Sequence, residues 1–69
     1  MQNKLEEIRK KHKYSQETLA NMLNVSRQTI ISIEKQKYNP SLVLAIKISR
    51  IFNLTVEEIF IYNQEDEDK

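Results

Sequence analysis

Apolar side chains return along this chain at intervals of three and four residues, the period of a helix with one buried face. The period breaks at short polar interruptions and then restarts. Leu5 and Ile8 begin the first stripe, and Leu19, Ala20 and Leu23 make the second. Ile30 and Ile33 make the third, Leu42, Ala45, Ile48 and Phe52 the fourth, and Ile59 with Phe60 a short fifth. The interruptions carry helix-start chemistry. Ser15, Ser26 and Ser41 each stand just ahead of a stripe, where a hydroxyl accepts a bond from a free N–H of the first turn. Asn3 with Glu6, and Thr55 with Glu58, have the spacing of capping boxes. The pattern predicts an all-α bundle of five helices, the fourth running from Ser41 to about Phe52.

Ser15 to Tyr38 organises the rest. It reads as helix, tight turn at Asn24, helix. The second of these helices turns Ile30 and Ile33 inward. Its other side shows Arg27, Gln28, Thr29 and Ser32, which form hydrogen bonds but have no evident work inside a core. Two helices joined by a short turn, the second with a polar face, is the helix-turn-helix arrangement. After Glu34 comes Lys35-Gln36-Lys37-Tyr38-Asn39-Pro40, a loop rich in phosphate-binding groups.

Size and composition narrow the reading. At 69 residues and 39% hydrophobic content, the chain is one domain, near the lower size at which a core alone suffices. The domain is placed at 1–62, with an acidic, frayed tail over 63–69. There is no cysteine, so no disulfide or thiolate zinc site is available. His12, the one histidine, lacks the partners of a metal site and is expected to face solvent. No metal, cofactor or small-molecule ligand is expected. No apolar run has membrane length and no signal peptide opens the chain, so a cytoplasmic location is expected. An enzyme is excluded: there is no glycine-rich phosphate loop, no nucleophilic cysteine and no pair of inward carboxylates.

The net charge of +1 hides an asymmetry. Residues 1–50 carry ten Lys/Arg against four acids, a net of +6, while residues 51–69 carry one Lys against six acids, a net of −5. The basic part holds the helix pair. A basic face with an acidic tail suits a polyanion partner on one side. Charge alone would favour the plainer reading, a small domain kept soluble.

The strings SQ-x-x-LA, NVSRQTI-x-x-IEK and YNPSL, at these spacings, resemble the Cro/repressor-type helix-turn-helix family, and within it short stand-alone bacterial repressors. The resemblance runs from about Leu5 to Phe60. It implies a partly buried ion pair between Arg9 and Glu34, joining the first and third helices. It also implies a phosphate anchor at Gln16, and a short strand of Ile61-Tyr62 against residues 1–3. Members of the family usually place glycine after the second, third and fourth helices. This chain has no glycine, and the matching residues are Asn24, Gln36 and Asn53. Asparagine tolerates the left-handed conformation needed there. Glutamine does not, so either Gln36 is strained or the third helix ends differently.

The chemistry expected is duplex reading. The major groove accepts one helix and displays distinct donors and acceptors for each base pair. Arg27, Gln28, Thr29 and Ser32 are assigned to bases, with Arg27 also able to neutralise a phosphate. Gln16, Ser26, Lys35, Lys37, Tyr38 and Asn39 are assigned to phosphates. Ile31, where the family keeps a small residue, either touches a thymine methyl or is an ordinary half-exposed side chain. The fourth helix is greasier than one buried face requires, through Val43, Leu44, Ile46 and Ile51. Surplus apolar residues suit a homodimer, through Leu54, Val56, Ile59 and Phe60, or alternatively Leu44, Ile51 and Ile61. The function expected is a sequence-specific repressor binding a palindromic operator in double-stranded DNA as a homodimer. The rival is an antitoxin-like protein-interaction module that also binds its own promoter.

Overall fold

Each of the first four helices stops in the same way. The computed structural model describes residues 1–63. In it, α1 spans Leu5–Lys11, α2 Gln16–Leu23, α3 Arg27–Glu34, α4 Leu42–Phe52 and α5 Val56–Ile59. Just past α1 to α4 lie Lys13, Asn24, Gln36 and Asn53, with φ of 61°, 58°, 63° and 55°. The next N–H then reaches back five residues: Tyr14 to the Arg9 carbonyl, Val25 to Ala20, Lys37 to Ser32 and Leu54 to Ser49. This is the Schellman closure, which satisfies carbonyls that the helix end would orphan. Gln36 is therefore left-handed. Lys13 joins it, at a position that no residue pattern marks as left-handed.

The helix starts follow the hydroxyl pattern. The side chains of Ser15, Ser26, Ser41 and Thr55 accept from the N–H groups of Thr18, Thr29, Leu44 and Glu58. Thr55 and Glu58 complete a capping box. Asn3 and Glu6 do not. Asn3 lies in a strand, its Oδ1 accepting from Leu5 N at 3.1 Å, and Glu6 instead pairs with Lys10 at 3.2 Å.

The core gathers Leu5, Leu19, Ile30, Ile33, Ile48 and Ile59, all fully buried, with Ile8, Ala20, Leu23, Leu44, Ala45, Phe52 and Phe60 around them. α2 lies against both α3 and α4, α1 reaches α3, and α5 packs on α4. Two expectations fail here. Leu42 does not join the stripe: it is 73% exposed, and Leu44 fills the inward place. Ile59 and Phe60 belong to the chain's own core, so they have almost no surface to offer a second copy. Leu44 is likewise buried, while Ile51, Leu54 and Val56 are half-buried against the core.

A two-stranded antiparallel ribbon joins the ends, β1 (Gln2–Asn3) to β2 (Phe60–Ile61), with Gln2 opposite Ile61 and Asn3 opposite Phe60. It starts one residue earlier than the expected Ile61-Tyr62. α5 is only four residues long, and the chain is already extended at Phe60. His12 is exposed by area, yet its ring meets that of Phe52 edge-on at 4.9 Å and its Nδ1 lies 3.0 Å from the Ile8 carbonyl. Of the acidic tail, residues 64–69 lie outside the described part.

Candidate nucleic-acid interface

α3 owes its orientation to buried polar groups at its C-terminal end. Arg9, only 6% exposed, donates through Nε to Glu34 Oε2 at 2.7 Å and through Nη2 to Oε1 at 3.2 Å. Its Nη1 donates to the Tyr14 carbonyl at 2.8 Å. The expected ion pair between α1 and α3 is present and two-pronged, the geometry that suits a guanidinium and a carboxylate best. The bond to Glu34 holds the Arg9 guanidinium above its ordinary pKa, against the desolvation that would lower it. Gln16 joins the pair, its Nε2 donating to Glu34 Oε1 at 3.1 Å. Thus Gln16, expected as a phosphate anchor, is also fixed from behind by α3. A fourth tie was not foreseen. Asn3 Nδ2 donates to the Ile33 carbonyl at 2.9 Å across thirty residues of sequence, fastening the terminal ribbon to the last turn of α3. Its only sequence signal is an amide side chain just ahead of a helix, which looks the same as a helix cap.

The residues assigned to bases fall into two places rather than one. Arg27, in the first turn of α3, lines an open cleft of about 520 Å³ with Arg9, Ser15, Gln16 and Glu17. This puts its cation beside the N-terminus of α2, where free N–H groups also favour an anion. Gln28, Thr29 and Ser32 line a second, shallower recess together with Tyr38. Gln28 Nε2 lies 3.4 Å from Ser32 Oγ, a long bond that leaves the rest of the amide free. Ile31 is half-buried.

Ser26, expected at a phosphate, also caps the helix. Its hydroxyl oxygen accepts from Thr29 N at 3.1 Å, which caps α3, and lies 2.9 Å from Thr29 Oγ1. Lys35, Lys37, Tyr38 and Asn39 are all exposed on the loop that the left-handed Gln36 turns back beside α3. Among the described residues, no cluster of His, Asp or Glu can hold a metal, and no helix is long and apolar enough to cross a membrane.

These features have counterparts in known proteins. The chain is 54% identical over 66 residues to an uncharacterised HTH-type transcriptional regulator of Methanocaldococcus jannaschii, covering 96% of this chain and 100% of that one. It is 44% identical over 66 residues to the HTH-type transcriptional regulator YgzD of Bacillus subtilis, also uncharacterised, with 96% and 100% covered. Among solved structures it is similar to the restriction-modification controller protein C.AhdI of Aeromonas hydrophila. That match has a TM-score of 0.73 and 32% identity, and covers 81% of this chain and 85% of the other. The model of the helix-turn-helix family matches residues 5–59, and with four-fifths of its length inside that match the chain belongs to the helix-turn-helix family.

Proposed function

We propose that this chain is a sequence-specific transcriptional regulator that binds a palindromic operator as a homodimer and represses by excluding polymerase from an overlapping promoter. One observation carries the reading: α3 is capped, pinned from behind by Arg9, Glu34, Gln16 and Asn3, and left with Gln28 and Ser32 outward between cationic flanks. A helix fixed in this way presents its polar edge to a groove without further ordering. Arg27 and Gln16 hold the backbone on one side of α3, and Lys35, Lys37, Tyr38 and Asn39 hold it on the other. The relatives are called transcriptional regulators, and resemblance to repressors supplies the sign.

Pairing is supported by α4. Leu42, Val43 and Ile46 are 73%, 64% and 39% exposed, too much apolar surface on one short helix to be incidental. At about 100° per residue, Leu42, Ile46 and Asn53 fall within about 40° around α4. Leu42 and Ile46 thus share one face of α4, and Leu54 and Val56, half-buried, follow beyond the helix end. A dimer formed on this surface about a two-fold axis would read two half-sites if its recognition helices stand one DNA turn, about 34 Å, apart.

Selection of bound sequences from random duplex DNA tests the reading. A palindromic motif should emerge, with half-sites about 10 base pairs apart. Arg27, Lys35 and Lys37 from two copies supply about six phosphate-range cations, so the log–log salt slope should be roughly −5. No enriched motif, or a flat salt response, would overturn the proposal.

A further inference from the structure

We infer that Thr29 and Tyr38 form a seat for the C5-methyl group of a thymine, within one base step of the base edge read by Gln28. The inference rests on the DNA-binding reading above and assigns the carbon atoms of two residues, Thr29 and Tyr38, a specificity role.

The recess lined by Gln28, Thr29, Ser32 and Tyr38 holds about 240 Å³. That is below the ~300–1,000 Å³ of sites for small-molecule ligands, and it is open, so it suits the edge of a larger body. Its two sides differ. On one, Gln28 and Ser32 sit one helical turn apart with their polar ends together at 3.4 Å. On the other, Thr29 has its hydroxyl 2.9 Å from Ser26 Oγ, tied to the start of α3, and brings a methyl group besides. Opposite stands Tyr38, 45% exposed, returned alongside α3 by the left-handed Gln36. Carbon therefore walls this side of an otherwise polar face whose neighbours are Arg27, Lys35 and Lys37.

In the major groove of unmodified DNA, one base group is apolar, the thymine methyl. The nitrogen and oxygen groups of the other edges would lose hydration against Thr29 and Tyr38 without replacing it, and the C5–H of cytosine is too small to fill the place of a methyl. The recess thus favours a thymine over cytosine at its pyrimidine position. The amide of Gln28, at the rim, reads the donor and acceptor of an adenine in the same pair or the next.

The test uses the selected operator with each thymine replaced in turn by deoxyuridine, which removes only the methyl. The full-length protein is compared with Thr29→Ser, which keeps the hydroxyl for Ser26 and deletes the methyl, and with Tyr38→Ala. At one thymine in each half-site, deoxyuridine should weaken the parent about four-fold, the effect of exposing one methyl. At that position both variants should bind the two duplexes equally. Tyr38 is exposed, so its variant carries the test even where Thr29→Ser melts early. Tolerance of deoxyuridine everywhere, by a parent that still prefers its operator, would overturn the seat. So would discrimination that survives in both variants. A parent that enriches no motif from random DNA would instead overturn the DNA-binding reading, and the seat with it.

Discussion

Behind α3 the protein buries charge, and behind α4 it buries carbon. The α3 side holds a guanidinium, a carboxylate and two amides, Arg9, Glu34, Gln16 and Asn3, joined by bonds of 2.7–3.2 Å. Among the described residues no buried side-chain polar atom lacks a partner. α4 has no acid anywhere along its length; it turns Leu44, Ala45, Ile48 and Phe52 inward and still leaves Leu42, Val43 and Ile46 outside. Hydrogen bonds are directional and apolar contact is not. The first region therefore fixes an angle, that of the reading helix. The second fixes little by itself and is completed by whatever covers it. A buried ion pair adds little net stability, because desolvation offsets its attraction, and orientation is the better account of its presence.

The largest effect should come from breaking the polar side. Glu34→Ala leaves Arg9 charged and buried without its partner, and should destabilise by about 3–5 kcal/mol in denaturant unfolding. A domain of this length has about 3–10 kcal/mol in all, so much of the variant should be unfolded. A loss below about 1 kcal/mol would show that Arg9 swings out to water. Bonding raises the folded pKa of Arg9, so the pair's contribution is complete below the ordinary arginine range and lost only in strong alkali. The effect of this substitution should accordingly be constant from pH 6 to pH 9.

The apolar side should divide into core and cover. Ile59→Ala should cost about 2–5 kcal/mol of folding stability, as a buried truncation does. Leu42→Ala should leave the folding of the single chain within about 0.5 kcal/mol, yet shift sedimentation at micromolar concentration from twice the chain mass toward one. A Leu42 variant that associates as the parent does would move the contact off this face.

Gln28→Ala sharpens the reading face. It should cost about 1–3 kcal/mol at one base pair of each half-site, and little elsewhere. Lys37→Ala should weaken all sequences alike and flatten the salt slope. Equal losses on every duplex for Gln28→Ala would make that residue an anchor. The smallest change expected is at the turn. Gln36→Gly relieves a left-handed side chain but loosens the unfolded chain, for a net gain of about 0.5–1 kcal/mol. A destabilised glycine variant would show that Gln36 is at ease with its φ of 63°.

How far the sequence reached follows the same division. Helix starts were legible because Ser15, Ser26, Ser41 and Thr55 act within three residues of themselves. Inward stripes were legible where another helix lies over them, as over Leu19, Ile30 and Ile48. Leu42 carries the same pattern but is exposed among the described residues, and periodicity has no term for what lies opposite. Ile59 and Phe60 could not be sorted between core and contact, because both environments select the same residue types. Asn3 works across thirty positions, so no local spacing announces it. Arg27, Gln28 and Ser32 were recognisable as outward and polar, but their division between two recesses depends on Tyr38 and Gln16, which arrive from other segments.

The left-handed turns have a calorimetric consequence. Filling them with Lys13, Asn24, Gln36 and Asn53 in place of glycine raises the enthalpy of the folded chain and narrows the ensemble it unfolds into. Both changes act on unfolding in the same direction: the heat absorbed falls, and so does the entropy gained. The melting temperature, their ratio, moves little. Its sensitivity does not stay fixed, since a given change in free energy shifts the midpoint in inverse proportion to the unfolding entropy. For a domain this small the shift is already about 4–8 °C per kcal/mol. A chain without glycine lies toward the upper end, so its melting point registers small substitutions with unusual gain.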